Sequence, residues 1–199
     1  MMRIVITGGP GAGKTALIEL LRKSLPANVA FVPEAATIVF GGGFPRASEP
    51  RVARGAQRAI FHVQRELESI VDPEADFVIC DRGTMDGLAY WVGDELQYCR
   101  ELGVDRLAEL RRYGAVIHLR TPTDGHGYDH LNPVRIETAA EAYAIDQRIE
   151  RAWRDHPRRW FVEATNDFLA KATTAIALIE PLIMAREAAS PASAPHLRK

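Results

Sequence analysis

The octapeptide Gly8-Gly9-Pro10-Gly11-Ala12-Gly13-Lys14-Thr15 follows directly on the apolar run Ile4-Val5-Ile6 and opens a stretch of helical periodicity. It fits G-x-x-x-x-G-K-[ST], a turn that requires a buried strand before it and a helix after it. That requirement fixes a strand–loop–helix unit at the very start of the chain, with helix-start N–H groups converging on an anion. Lys14 is one of only four lysines, against 21 arginines. The position calls for a compact ammonium on a flexible stem, which a planar guanidinium replaces poorly. The first expectation is therefore phosphate binding by Gly8, Gly9, Pro10, Gly11, Ala12, Gly13, Lys14 and Thr15, with N–H groups of residues 9–15 facing the phosphates. Lys14 would bridge β- and γ-phosphate oxygens, and the Thr15 hydroxyl would ligate Mg²⁺.

Beyond this unit, apolar runs alternate with helical periodicity. Strands are predicted at residues 3–7, 29–33, 77–80, 115–119 and 160–163. Helices are predicted at 14–25, 50–71, 85–99, 105–112, 136–156 and 167–188, the last with Asp167 as N-cap. Pro26 ends the first helix, and Gly41-Gly42-Gly43 makes residues 37–49 read as a loop. The continuous apolar character of the strands marks a sheet covered on both faces. The fold expected is a three-layer α/β/α sandwich with a five-stranded parallel sheet, spanning residues 1–188. A segment at about 121–137, rich in Pro, Gly, His and Asp, would act as a lid, and 189–199 would be a disordered tail.

In such a sheet, ligands sit at the carboxyl ends of the strands, so polar residues just after a strand are site candidates. Asp81 follows the third strand and is placed to hold Mg²⁺ beside Thr15. Arg82, next in line, offers a planar fork to phosphoryl oxygens. Glu34 follows the second strand and is a candidate general base. Asp86 lies one helical turn beyond Arg82, while Gln57, Phe61 and Gln64 share one side of the long helix and would line an acceptor pocket. Arg120, Arg135 and Arg148, with Arg151 and Arg154 behind them, are the candidates for charge neutralisation from the lid side. His126 and His130 lie near Asp124 and Asp129, but without cysteines or a helical frame they make a poor zinc site. Thr165 and Asn166, after the fifth strand, are placed for an adenine-side turn.

A formal net charge of −1 gives none of the basic footprint of a nucleic-acid binder, so no nucleic-acid partner is expected. No apolar stretch is long enough for a bilayer, and no membrane partner is expected. Two cysteines, Cys80 and Cys99, make no disulfide framework, and no secretory signal is visible. The expected compartment is the cytoplasm.

Taken with these residues, the chain resembles the P-loop nucleoside and nucleotide kinases and a family of AAA-like ATPase domains, over about residues 3–188. Gly8 to Thr15, Val32-Pro33-Glu34, and Asp81-Arg82-Gly83 with Asp86, Ala89 and Tyr90 carry the resemblance. In deoxynucleoside kinases a Pro-Glu pair after the second strand supplies the general base, which the resemblance places on Glu34. Their acidic-Arg-Ser triplet corresponds to Asp81-Arg82-Gly83, with glycine in place of the serine. The tight arginine cluster of their lid is missing here, as are the sensor and Arg-finger motifs of oligomeric AAA machines. The resemblance implies phosphoryl transfer from Mg-ATP to a small-molecule acceptor. An ATP-binding regulatory module with slow NTPase activity is the alternative, and acceptor-dependent ADP release separates the two.

Overall fold

The computed structural model describes residues 1–71, 75–122 and 138–187. The greater part of the expected lid, with Arg135, His126, His130, Asp124 and Asp129, lies outside the described residues, as does the expected tail 189–199.

Five strands, β1 (Met2–Thr7), β2 (Val29–Val32), β3 (Phe77–Asp81), β4 (Ala115–Leu119) and β5 (Arg159–Val162), form one parallel sheet in the order β2-β3-β1-β4-β5. β1 is central, with Ile4 opposite Ile79 on one side and Ala115 on the other. Because side chains alternate across a strand, Ile4 and Ile6 face one layer and Val5 the other. The first layer holds α1 (Lys14–Ser24) and α7 (Phe168–Glu187), which bring Leu17, Leu21, Ala175 and Ile179 onto Ile4 and Ile6. The second holds α3 (Pro50–Ser69), α4 (Glu95–Leu102), α5 (Arg106–Arg111) and α6 (Ala139–Ala152), which set Phe61, Tyr98, Leu110, Ile149 and Trp153 around Val5 and Val78. This is the three-layer α/β/α arrangement that the alternating pattern predicts.

The helix ends follow capping chemistry. Glu49 accepts the N–H groups of Arg51 and Val52 ahead of Pro50 at the start of α3. Thr138 and Glu141 form a reciprocal capping box on α6. Asp167 accepts from Leu169 and Ala170 at the start of α7.

Two predicted segments differ. The predicted loop 37–49 begins within a helix, α2 (Ala35–Gly41). Its short apolar run has no polar face to betray a period, and it stops where Gly42 and Gly43 take over. The predicted helix 85–99 is divided. A 3₁₀ segment, Thr84–Tyr90, ends at Trp91, and α4 starts afresh with Asp94 capping Gln97. Gly93, at φ 147°, makes the break. This division puts the 3₁₀ segment, rather than a full helix, behind the end of β3.

Candidate phosphate and acceptor site

The loop after β1 closes against the rest of the sheet. Gly8 sits at φ 136°, and a Cβ there would lie 2.1 Å from the Leu119 carbonyl oxygen at the end of β4. No L side chain fits that position. Gly13, at φ 88°, occupies the N-cap of α1 with no side-chain cap, which leaves the first-turn N–H groups to an external acceptor. Lys14 folds back along the loop, and its Nζ donates to the Gly8 and Gly9 carbonyls at 2.9 Å each. Burial, helped by the charge of Arg82, lowers its pKa to about 8. Of the N–H groups expected to face phosphate, that of Ala12 donates to the Gly9 carbonyl at 3.3 Å, and that of Gly9 also turns away. It donates to Asp146 Oδ1 on α6 at 2.8 Å.

Asp81 ends β3 beside Lys14. Its Oδ1 is buried and has no hydrogen-bond partner. Burial raises its pKa to about 6 against the pull of Lys14. An orphaned buried carboxylate oxygen is costly unless something completes it. With the exposed Thr15 hydroxyl at the first turn of α1, it suits a hard cation that keeps phosphate and water as its other ligands. Among the described residues no group of three or more His, Cys, Asp or Glu is arranged around a metal position.

Arg82 is the one non-glycine residue at positive φ among the described residues, at 72°. A left-handed arginine costs about 1–2 kcal/mol, and the surroundings hold it there. Its Nε donates to Glu34 Oε1 at 2.6 Å, and its NH1 to Asp86 Oδ2 at 3.0 Å and to the Gly8 carbonyl at 3.2 Å. Gln64 donates to the Arg82 carbonyl at 3.3 Å. Asp86 is also held by the Thr7 hydroxyl and the Trp153 indole N–H, both at 2.6 Å. Its role in this geometry is to hold Arg82. Glu34 stands at the N-cap position of α2 without a side-chain capping bond, and its other oxygen accepts the Thr37 hydroxyl at 2.5 Å. Burial pushes its pKa up, but the charge of Arg82 and the hydrogen bonds from Thr37 and Arg82 prevail and bring it to about 2.

Trp153 also explains the glycine of the Asp81-Arg82-Gly83 triplet. A Cβ at Gly83 would lie 2.8 Å from two indole carbons and 3.0 Å from Val5. The indole is wholly buried and pinned by its bond to Asp86, so it cannot swing away. Gly83→Ser is expected to destabilise the protein by about 1–3 kcal/mol through overpacking. Urea unfolding measures this, and a change below about 0.5 kcal/mol would mean the indole yields.

A cavity of about 930 Å³ opens beside Glu34 and Arg82, with Pro10 of the loop at its edge. Gln57, Phe61 and Gln64 all line it, as do Tyr90, Trp91 and Arg148. Gln64 is committed to Glu68 and to the Arg82 backbone, whereas the Arg148 Nε donates to the Ala89 carbonyl at 2.7 Å and anchors that guanidinium at the wall. Arg120 is turned elsewhere. It pairs with Glu150 at 2.5 Å and stacks on Phe161, 4.2 Å from the ring centre. Arg154 pairs with Glu95 at 3.1 Å. The Thr165 hydroxyl accepts from the Asp167 N–H at the approach to α7.

Asp146 and Lys171 escaped the sequence reading, as did Thr121, whose hydroxyl donates to the Pro10 carbonyl at 3.3 Å. Asp146 and Lys171 are buried, and both contact the loop backbone. The signal for Asp146 was present, since it shares a helix face with Ala142, Ile145 and Ile149. A lone carboxylate on an apolar stripe needs a partner to be buried at all.

A glycine-rich loop between the central strand of a β2-β3-β1-β4-β5 parallel sheet and the helix that follows gives the chain a three-layer P-loop α/β/α fold. A family model described as an AAA domain matches residues 3–170, and the chain belongs to that family. No curated protein matches it. Among solved structures, the fold is similar to deoxyadenosine kinase from M. mycoides with bound dATP, at TM-score 0.59 and 15% identity, covering 90% of this chain and 100% of that one. It is also similar to thymidylate kinase from Ehrlichia chaffeensis, at TM-score 0.56 and 15% identity, covering 89% and 98%. Among the described residues no helix is long and apolar enough to cross a membrane.

Proposed function

We propose that this protein transfers the γ-phosphoryl group of ATP to a small-molecule acceptor. The observation that carries the reading is the cavity of about 930 Å³ beside Glu34 and Arg82. A module that only hydrolyses or senses nucleotide has no need of a second chamber at that place.

The loop and the first turn of α1 would hold the β- and γ-phosphates, with the Lys14 ammonium leaving the Gly8 and Gly9 carbonyls to meet them. Thr15 and Asp81 are the residues that would hold Mg²⁺, which when bound supplies charge neutralisation across the phosphates. Arg82 reaches from the floor of the cavity toward the loop and would steady the transferred group. Glu34 would accept a hydrogen bond from the acceptor hydroxyl and aim its oxygen at phosphorus. As the new P–O bond forms and the bond to the ADP oxygen breaks, the hydroxyl proton becomes acidic and passes to Glu34. With a pKa near 2, this carboxylate is a weak base. Its contribution is orientation and late proton acceptance, which suits a loose transition state. Gln57, buried at the cavity wall, and Arg148 would contact the body of the acceptor.

The test is a scan of nucleosides, nucleotides, riboside cofactor precursors and small alcohols for acceptor-dependent ADP release. Release that never rises above the rate without acceptor would instead establish a regulatory NTPase. With the acceptor in hand, Glu34→Gln is expected to lower kcat by about 10²-fold, with ATP affinity changed far less. A kcat within about threefold of the parent would remove Glu34 from the chemistry.

A further inference from the structure

Two buried side chains of opposite charge grip the phosphate loop from outside. Asp146 on α6 accepts the Gly9 N–H at 2.8 Å, and Lys171 on α7 donates to the Ala12 carbonyl at 3.0 Å. Each is tied to the end of β4 as well. Asp146 Oδ1 lies 2.9 Å from His118 Nε2, and Lys171 donates to the Arg120 carbonyl at 2.7 Å. Asp146 is fully buried and Lys171 is 6% exposed. The fit is close, since a Cβ on Gly9 would come within 2.5 Å of the Thr121 hydroxyl and 2.8 Å of the Ala142 carbonyl.

In a trans peptide the carbonyl and the following N–H point in opposite directions, and no peptide described here is cis. Fixing one end of a peptide plane therefore aims the other. Asp146 draws the Gly9 N–H outward, which turns the Gly8 carbonyl toward Lys14 and Arg82, where it accepts from both. Lys171 draws the Ala12 carbonyl toward α7, which turns the Gly13 N–H away from α7.

We propose that Asp146 and Lys171 are positioning residues for nucleotide binding, locking two peptide planes of the loop in opposed orientations. Asp146 sets the Gly8 carbonyl on which Arg82 rests, and Lys14 too until nucleotide draws it away, and Lys171 aims the Gly13 N–H at the phosphates. The proposal rests on the nucleotide reading of the loop and is independent of the acceptor.

The probe is Mg-ADP, titrated calorimetrically into the full chain. Lys171→Met is expected to weaken binding about tenfold, and Lys171→Arg, which restores donors, to recover to within about threefold. Asp146→Ala is expected to lose about tenfold and Asp146→Asn, which keeps an acceptor for Gly9, to stay within about threefold. Lys171→Met and Asp146→Ala binding Mg-ADP as the parent does would overturn the proposal while leaving the nucleotide reading intact. A parent chain that binds no Mg-ADP would overturn both. Amide NMR of the parent needs no variant: on adding Mg-ADP the Gly13 signal should move and the Gly9 signal, already bonded to Asp146, should stay. A Gly9 shift as large as that of Gly13 would defeat the assignment of opposed planes.

Discussion

Lys14→Met is expected to lower turnover by about 10³-fold while leaving the fold in place, because the lost group serves charge that develops on the phosphates. The ammonium is no great asset to the resting protein. Burial already depresses its pKa to about 8, so the folded state carries it at a cost. The substitution removes two hydrogen bonds to the Gly8 and Gly9 carbonyls, but Arg82 still donates to Gly8. Loss of those bonds and relief of the buried charge nearly offset, and the stability change should stay within about 1 kcal/mol. Steady-state turnover and thermal unfolding of nucleotide-free protein check the two halves. A variant that keeps a tenth of the parent rate would show that Lys14 does not meet the transferred group.

Asp81→Asn should separate stability from activity in the opposite sense. Burial raises this carboxyl from its ordinary 3.8 to about 6. Well below the ordinary value, at about pH 3, both folded and unfolded chains hold it neutral. As pH rises through 6 the folded state must carry a desolvated charge that the unfolded chain carries in water, so this group's contribution to stability is lost over that window. Asparagine removes the difference. At pH 7.5, without nucleotide or metal, the variant should be more stable by about 1–2 kcal/mol, after discounting the full shift for partial exposure. The gain should vanish by about pH 3. Turnover should fall by more than about 10²-fold, since a neutral amide is a poor ligand for a hard cation. Unfolding curves at the two pH values decide it, and a variant less stable than the parent at pH 7.5 would show that the charge is satisfied in the folded state.

The elements that the sequence makes legible are those whose logic is local. Gly8 to Thr15 announce themselves by spacing, and Asp81, Arg82 and Glu34 by following apolar strands, because a parallel sheet sends all its carboxyl ends to one edge. What stayed hidden depends on partners far along the chain. Nothing near Asp86 indicates that Thr7 and Trp153 would occupy it, and nothing near Gly9 indicates that its N–H would go to residue 146. Arg120 read as a lid cation because it follows β4, yet the neighbouring Glu150 and Phe161 capture it. The low pKa of Glu34 is likewise a product of Arg82 arriving from the end of another strand, which nothing near Glu34 announces. Helix α2 was obscured for a different reason. Seven residues show too few turns for a period, and adjacent glycines mask what precedes them.

The placement of β1 and its loop bears on how the chain is made. Of the five strands of this sheet, β1 is made before the rest and ends between two others, and neither β3 nor β4 exists until residues 81 and 119 have been added. Both of its edges stay open until then, the condition in which nascent strands find wrong partners. The loop waits longer still, because Lys171 on α7 supplies one of its outer hydrogen bonds. A chain halted before α7 would thus possess the motif without its full geometry.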